Sequence, residues 1–280
     1  MQHRPFGTSG HPVAIVGQGS WQIELARRPE AIAALRAGLD LGMTHIDTAE
    51  MYGDGASEQL ISEAIRGRRE QVYLVSKVLP SNASARGTRS ACERSLRNLG
   101  TDHLDCYLLH WRGKVPLAET VGAFETLKRE GKIRTWGVSN FDMADLDEVT
   151  ALAGPPACNQ VLYNLGERAI EHAVIPWCQA HGTAVVAYTP LGGIPKAADA
   201  RPGRGRVLQE IAVTRGASSG QVALAFLLRH PSLFVIPKAA RLEHVRDNAG
   251  AADLQLTAAE VAAIEAAFPR GPRPRNLPMI

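Results

Sequence analysis

Asp47, Tyr52, Lys77 and His110 are four side chains of this sequence that together can move a proton to a carbonyl oxygen. Asp47 closes the run Met43–Asp47, Lys77 closes Val72–Lys77, and His110 closes Leu104–His110. Tyr52 follows Asp47 on the same loop. A phenol alone is a weak acid near neutral pH, with an ordinary pKa of about 10. A neighbouring ammonium favours the phenolate and lowers that value. Lys77 can supply this charge to Tyr52, Asp47 can pair with Lys77, and His110 can donate to or orient the substrate oxygen. Each group has a plainer role when taken singly. A lysine at a strand end forms an ion pair, a histidine after an apolar run packs in a core, and an Asp–Thr pair makes a turn. What makes the set a candidate site is one such group per successive strand end.

The elements that must position these groups alternate along the chain. Apolar runs of this length, separated by helical stretches, are the pattern of buried parallel strands. Strands are expected near Ile15–Gly19, Met43–Asp47, Val72–Lys77, Leu104–His110, Ile133–Val138, Ala157–Leu162, Ala184–Tyr188 and Leu233–Ile236. Helices are expected over Ala31–Leu41, Glu58–Arg66 with Ser57 as N-cap, Thr88–Asn98, Val121–Arg129, Asp142–Ala153, Ala169–Ala180, Arg206–Thr214 and Gln221–Leu228. Gly42, Gly67, Gly100, Gly131 and Gly182 stand as helix stops. Pro12–Val16, after the turn residues Thr8–Ser9–Gly10, predicts an opening β-hairpin. The count is that of a (β/α)8, or TIM, barrel with an N-terminal hairpin and extra C-terminal helices, one domain over residues 1–280. Such a barrel gathers its strand ends at one mouth.

A doubly wound open sheet is the competing architecture. It needs a glycine-rich phosphate turn after its first strand. Gly17–Gln18–Gly19 is the only candidate, but Gln22 replaces the third glycine and no clear helix follows. The two glycines read better as a tight strand end where something approaches the backbone.

Composition narrows the function classes. The 280 residues are 45% hydrophobic and 21% charged, enough ordinary globular chain for a large core. A net charge of +3 with scattered basic residues gives no nucleic-acid footprint. Cys92, Cys106, Cys158 and Cys178 form no CxxC pair and no zinc-like cluster, so they read as buried thiols, and no metal is expected. The start Met1–Pro5 has no signal-type apolar core, and no apolar run nears the roughly 18 residues of a membrane span. A soluble, cytoplasmic, monomeric protein acting on a small molecule is the expectation.

Beyond the four groups, a longer set of motifs resembles the aldo-keto reductase family. They are Ile46–Asp47–Thr48–Ala49–Glu50–Met51–Tyr52–Gly53, Val75–Ser76–Lys77, Leu104–His110 and Gly137–Val138–Ser139–Asn140–Phe141. Asn159–Gln160, Tyr163–Asn164, Ala187–Gly192 and Val235–Lys238 continue them in the family's order, over nearly the whole chain. The resemblance implies a (β/α)8 barrel that binds NADPH, or in some members NADH, without a Rossmann turn. It implies reduction of aldehydes and ketones to alcohols. Tyr52 would be the proton donor, Lys77 and Asp47 its tuning pair, and His110 the residue orienting the carbonyl.

The same resemblance assigns the cofactor contacts. Ser139, Asn140 and Gln160 would bond the nicotinamide amide, and Tyr188 would stack on its ring. Gly19, Ser20 and Trp21 would lie beside nicotinamide and substrate, with Leu191 and Gly192 crossing the pyrophosphate. Lys238 would meet the 2′-phosphate, Arg241 and His244 would lie near the adenine end, and Asn248 would contact adenine. Ala239 and His244 depart from the serine and arginine common there, a deficit that Arg241 or Arg246 could offset. Trp21, Met51 and Trp111 would wall the substrate pocket. The short Pro195–Gly205 loop and short tail after Phe268 would leave that pocket open. Two other functions compete: a barrel aldolase using Lys77 as a Schiff-base nucleophile, and a non-catalytic nicotinamide-binding subunit.

Overall fold

The structure is a computed structural model and describes residues 1–194 and 204–280. The Pro195–Gly205 loop expected after Leu191 therefore lies, from 195 to 203, outside the described residues.

A hairpin opens the chain, with β1 (His3–Pro5) antiparallel to β2 (Pro12–Ala14). Eight parallel strands follow: β3 (Gln18–Gly19), β4 (His45–Asp47), β5 (Tyr73–Val78), β6 (Leu104–Leu109), β7 (Ile133–Ser139), β8 (Cys158–Leu162), β9 (Ala184–Tyr188) and β10 (Leu233–Val235). Their order in the sheet is their order in the chain. The described helices are α1 (Arg28–Asp40), α2 (Ala56–Ala64), α3 (Ala85–Leu99), α4 (Leu117–Arg129), α5 (Met143–Ala153), α6 (Val174–Ala180), α7 (Arg204–Arg215), α8 (Ser219–Leu227), α9 (Leu242–Gly250) and α10 (Ala258–Ala267). None of them is long and apolar enough to cross a membrane.

Backbone bonds close the sheet into a barrel. The Gly17 N–H donates to Val235 O at 2.8 Å, and the Val235 N–H donates to Ile15 O at 2.9 Å. Parallel bridges join Val16 to Val235 and Gly19 to Lys238. This explains the Gly17–Gln18–Gly19 motif. A Cβ on Gly17 would stand 2.7 Å from His45 O, and one on Gly19 would stand 2.6 Å from Ile236 O. The glycines let neighbouring strands approach, and the first barrel strand is shorter than its apolar run suggests.

Burial follows the sequence pattern. Every residue of β5 and β6 is buried, as both faces of a barrel strand are covered. The hairpin plugs the end where strands begin. Phe6 is fully buried, with ring centroids 4.9 Å from Tyr73, 5.1 Å from Phe234 and 5.7 Å from His45. The opposite mouth stays open for the site.

Helix ends show where local signals hold. Ser84 accepts from the Gly87 N–H and Asp142 from the Asp145 N–H, each as an N-cap. Gly100 ends α3 in the left-handed region. Ser57, however, is not the N-cap of α2. Gly55 holds that position, and the buried Ser57 hydroxyl donates to Ser20 O at 3.1 Å. The helix expected over Ala169–Ala180 is broken at Ala173 into a 3-10 turn and α6. Pro176 accounts for the break, since it lacks an N–H and its ring would strike the carbonyl four residues earlier.

Candidate active site

The ends of β4, β5 and β6 bring Asp47, Lys77 and His110 to one mouth, and the loop after β4 adds Tyr52. Lys77 Nζ donates to Asp47 Oδ1 at 2.5 Å, to Thr48 O at 2.8 Å and to the Tyr52 hydroxyl at 3.2 Å. An ammonium has three donors, and all three are used. Asp47 Oδ2 accepts from Gln160 Nε2 at 2.7 Å. The His110 ring meets the Tyr52 ring edge-on, with centroids 5.8 Å apart. Groups from three segments far apart in sequence thus form one connected cluster.

Charge in this cluster follows from burial and pairing. Burial works against the Lys77 ammonium, but Asp47 and Tyr52 more than offset it, and the lysine ends above its ordinary value. Burial leaves Asp47 above its ordinary value, although Lys77 and Gln160 pull it down. A donor on each carboxylate oxygen favours the charged form. The Tyr52 phenol runs against the sequence expectation. Burial pushes it above its ordinary value, and the opposing Lys77 charge does not bring it below. Tyr52 therefore holds its proton at neutral pH. Burial, aided by Lys77, pushes His110 down to about 2, so its imidazole is neutral. Its Nδ1 has no hydrogen-bond partner.

A cavity of about 630 Å³ opens above these groups. Asp47, Tyr52 and His110 line one side, and Ser139, Asn140, Gln160 and Tyr188 another, from the ends of β7, β8 and β9. Asn140 sits in the left-handed region at φ 60°. Its side chain is engaged at both ends: Nδ2 donates to His110 O at 3.1 Å, and Oδ1 accepts from the Tyr188 hydroxyl at 2.9 Å. A strained non-glycine residue held this way is a feature of ligand sites. Tyr188 is half-buried, and burial pushes its phenol up to about 12.

Gly19, Ser20, Trp21, Leu191, Gly192 and Lys238 also line this cavity. So do Met51 and Trp111. Arg241, His244 and Asn248 do not. Arg241 is the N-cap residue of α9 and His244 lies in its first turn, both exposed, with Arg241 Nη2 2.6 Å from His244 Nε2, and Asn248 further along α9 is buried. Two tail residues that the sequence did not single out, Met279 and Ile280, also line the cavity. Their apolar character after a Pro/Arg-rich stretch was the available signal.

An eight-stranded parallel barrel with an acid, an ammonium, a phenol and a neutral imidazole at its open mouth defines a class of proteins, and comparison with known proteins agrees. The profile of the Aldo/keto reductase family matches residues 15–268, and this chain belongs to that family. It is 47% identical over 276 residues to methylglyoxal reductase YeaE of Escherichia coli (strain K12), covering 96% of each chain. It is 31% identical to the glyoxal reductase of Bacillus subtilis (strain 168), covering 89% of this chain and 87% of that one. Among solved structures, an aldo/keto reductase from Klebsiella pneumoniae in complex with NADP and acetate superposes with a TM-score of 0.91. That protein is 44% identical, and the match covers 100% of this chain and 99% of it.

Proposed function

We propose that this protein reduces aldehydes and ketones to alcohols with NADPH, and that Tyr52 is the proton donor. The observation that carries this reading is Lys77 Nζ, held by Asp47 and placed 3.2 Å from the Tyr52 hydroxyl, with the neutral His110 ring edge-on to the phenol. As a carbonyl accepts a hydride at carbon, its oxygen needs a proton. Tyr52 is loaded with one, and Lys77 stabilises the phenolate as it forms. Asp47 fixes Lys77. The neutral His110 imidazole orients the substrate oxygen through a ring N–H.

The residues present fit a nicotinamide dinucleotide. Gly19 and Gly192 offer bare backbone to the cavity, Ser20 Oγ is buried without a partner, and the Tyr188 ring is half-exposed. Bound NADPH would supply the hydride. Ser139, Asn140 and Gln160 would hold the carboxamide, Tyr188 the ring face, Leu191 and Gly192 the pyrophosphate, and exposed Lys238 the 2′-phosphate. Arg241, His244 and Asn248 would serve the adenine end. The related Klebsiella structure in complex with NADP supports this choice.

Trp21, Met51 and Trp111, joined by Met279 and Ile280, give the pocket apolar walls suited to a carbonyl with a small hydrophobic body. The two relatives named for methylglyoxal and glyoxal make 2-oxoaldehydes the first substrates to try. A Schiff-base role for Lys77 is disfavoured, because such chemistry needs a neutral amine and this one is a fully engaged ammonium.

Tyr52→Phe keeps the ring and removes the acid. Single-turnover reduction of methylglyoxal should fall by about 10²–10⁴-fold while NADPH still binds. A variant that reduces substrate at the wild-type rate would exclude Tyr52 as the donor and leave His110 as the next candidate.

A further inference from the structure

Glu50 lies two residues before Tyr52, outside the cavity, and its side chain is only 7% exposed. Its carboxylate is held from three places. Oε1 accepts from the Leu79 N–H at 2.8 Å and from Asn82 Nδ2 at 3.0 Å. Oε2 accepts from Arg94 Nη2, on α3, at 2.6 Å. The Glu50 N–H in turn donates to Lys77 O at 3.3 Å. Leu79 stands two residues beyond Lys77, as Tyr52 stands two beyond Glu50. One residue therefore grips the chain at Lys77 with its backbone and two residues further on with its side chain.

The loop needs such a grip. After Tyr52 come three successive left-handed residues, Gly53 at φ 56°, Asp54 at φ 52° and Gly55 at φ 88°. Asp54 pays a steric penalty there that glycine does not. Burying a carboxylate is also unfavourable unless its oxygens are bonded, so packing alone does not account for an acid at this position.

We infer that Glu50 is a positioning residue that clamps the Tyr52 loop to the strand bearing Lys77 and so sets the spacing between phenol and ammonium. The inference rests on the proposed role of Tyr52. Position, not charge, is the contribution, so the reach of the side chain matters more than its ionisation. Glu50→Gln keeps an oxygen that can accept from Leu79 and Asn82, and it gives up only the bond to Arg94, whose half-exposed guanidinium can turn to water. Glu50→Asp keeps the charge but withdraws it by one methylene.

The test compares these variants in single turnover with NADPH and methylglyoxal. Misplacement of a reacting group costs on the order of ten- to a hundredfold. Glu50→Asp and Glu50→Ala should lose that much, with NADPH affinity unchanged, and Glu50→Gln should keep most of the rate. In a Tyr52→Phe background Glu50→Asp should cost nothing more, because the group it places is gone. In ligand-free protein carrying ¹³Cζ-tyrosine, Glu50→Asp should shift the Tyr52 signal, assigned by its loss in Tyr52→Phe. If Glu50→Ala does not fold, the Asp and Gln variants still decide. Glu50→Asp faster than Glu50→Gln, or an undiminished loss in the Tyr52→Phe background, overturns the clamp. An impaired Tyr52→Phe beside an unimpaired Glu50→Asp removes the clamp alone. A Tyr52→Phe at wild-type rate removes the acid role, and the clamp with it.

Discussion

Gln160 Nε2 donates to Asp47 Oδ2 at 2.7 Å, joining β8 to β4 across the barrel mouth between residues 113 positions apart. The bond makes Gln160 part of the charged cluster as well as a wall of the cavity. Replacing it with leucine leaves a buried carboxylate oxygen without its donor. Gln160→Leu should cost about 1–3 kcal/mol of stability in ligand-free protein. Urea unfolding measures it, and an unchanged midpoint and slope would mean that the bond adds nothing to the folded state.

Lys238 tests the proposed contact with the 2′-phosphate. It is exposed at the rim, just past the seam where its residue bridges to Gly19. Lys238→Met should weaken NADPH by about 1.5–3 kcal/mol, the worth of a charged contact, and leave NADH nearly untouched. Titrations of both cofactors by fluorescence decide the matter. Equal losses for the two would place the 2′-phosphate elsewhere.

His45 should make the fold acid-labile. It is fully buried, neither ring nitrogen has a hydrogen-bond partner, and burial with the Lys77 charge pushes it down to about 3. The unfolded chain takes up this proton near pH 6.5. Between those values the unfolded state binds more protons, so stability falls as the pH falls. Each pH unit below 6.5 should remove about 1.4 kcal/mol for this histidine. His45→Leu should flatten the loss between about pH 7 and 5.5 in urea unfolding. An identical slope in the variant would show that His45 does not titrate differently in the two states.

The four cysteines should be inert in the folded protein. All are buried and free, and burial pushes Cys92 up to about 12 and Cys106 and Cys178 above their ordinary value. A thiol that is neither accessible nor ionised reacts slowly. An aromatic disulfide reagent should label none quickly in native protein and all four in denaturant. Fast native labelling accompanied by loss of turnover would contradict the structural reading.

Much of this was legible in the sequence because barrel strands announce themselves. β9 occupies Ala184–Tyr188, as its apolar run predicts, and the chemistry-bearing residues follow such runs. What stayed hidden depends on long-range geometry. The two-residue β3 owes its place to backbone bonds that glycine permits, and glycine has no periodicity to read. The upward shift of Tyr52 depends on burial depth, which spacing does not give. Ser57 has the right type for a cap but is turned inward to Ser20. Glu50 is an acid in an irregular loop, and only the fold reveals its three partners. No sequence pattern fixes how Arg241 and His244 face each other.

The seam at Val16 and Val235 has a consequence for biosynthesis. The segment around β3 leaves the ribosome about two hundred residues ahead of the one that must bond to it. At roughly 5–20 residues per second, the wait is on the order of ten to forty seconds. During that time the leading edge of the nascent sheet presents unpaired N–H and C=O groups, the kind of edge on which chains pair wrongly. Only when β10 emerges can Val235 accept from Gly17 and donate to Ile15, removing both edges at once.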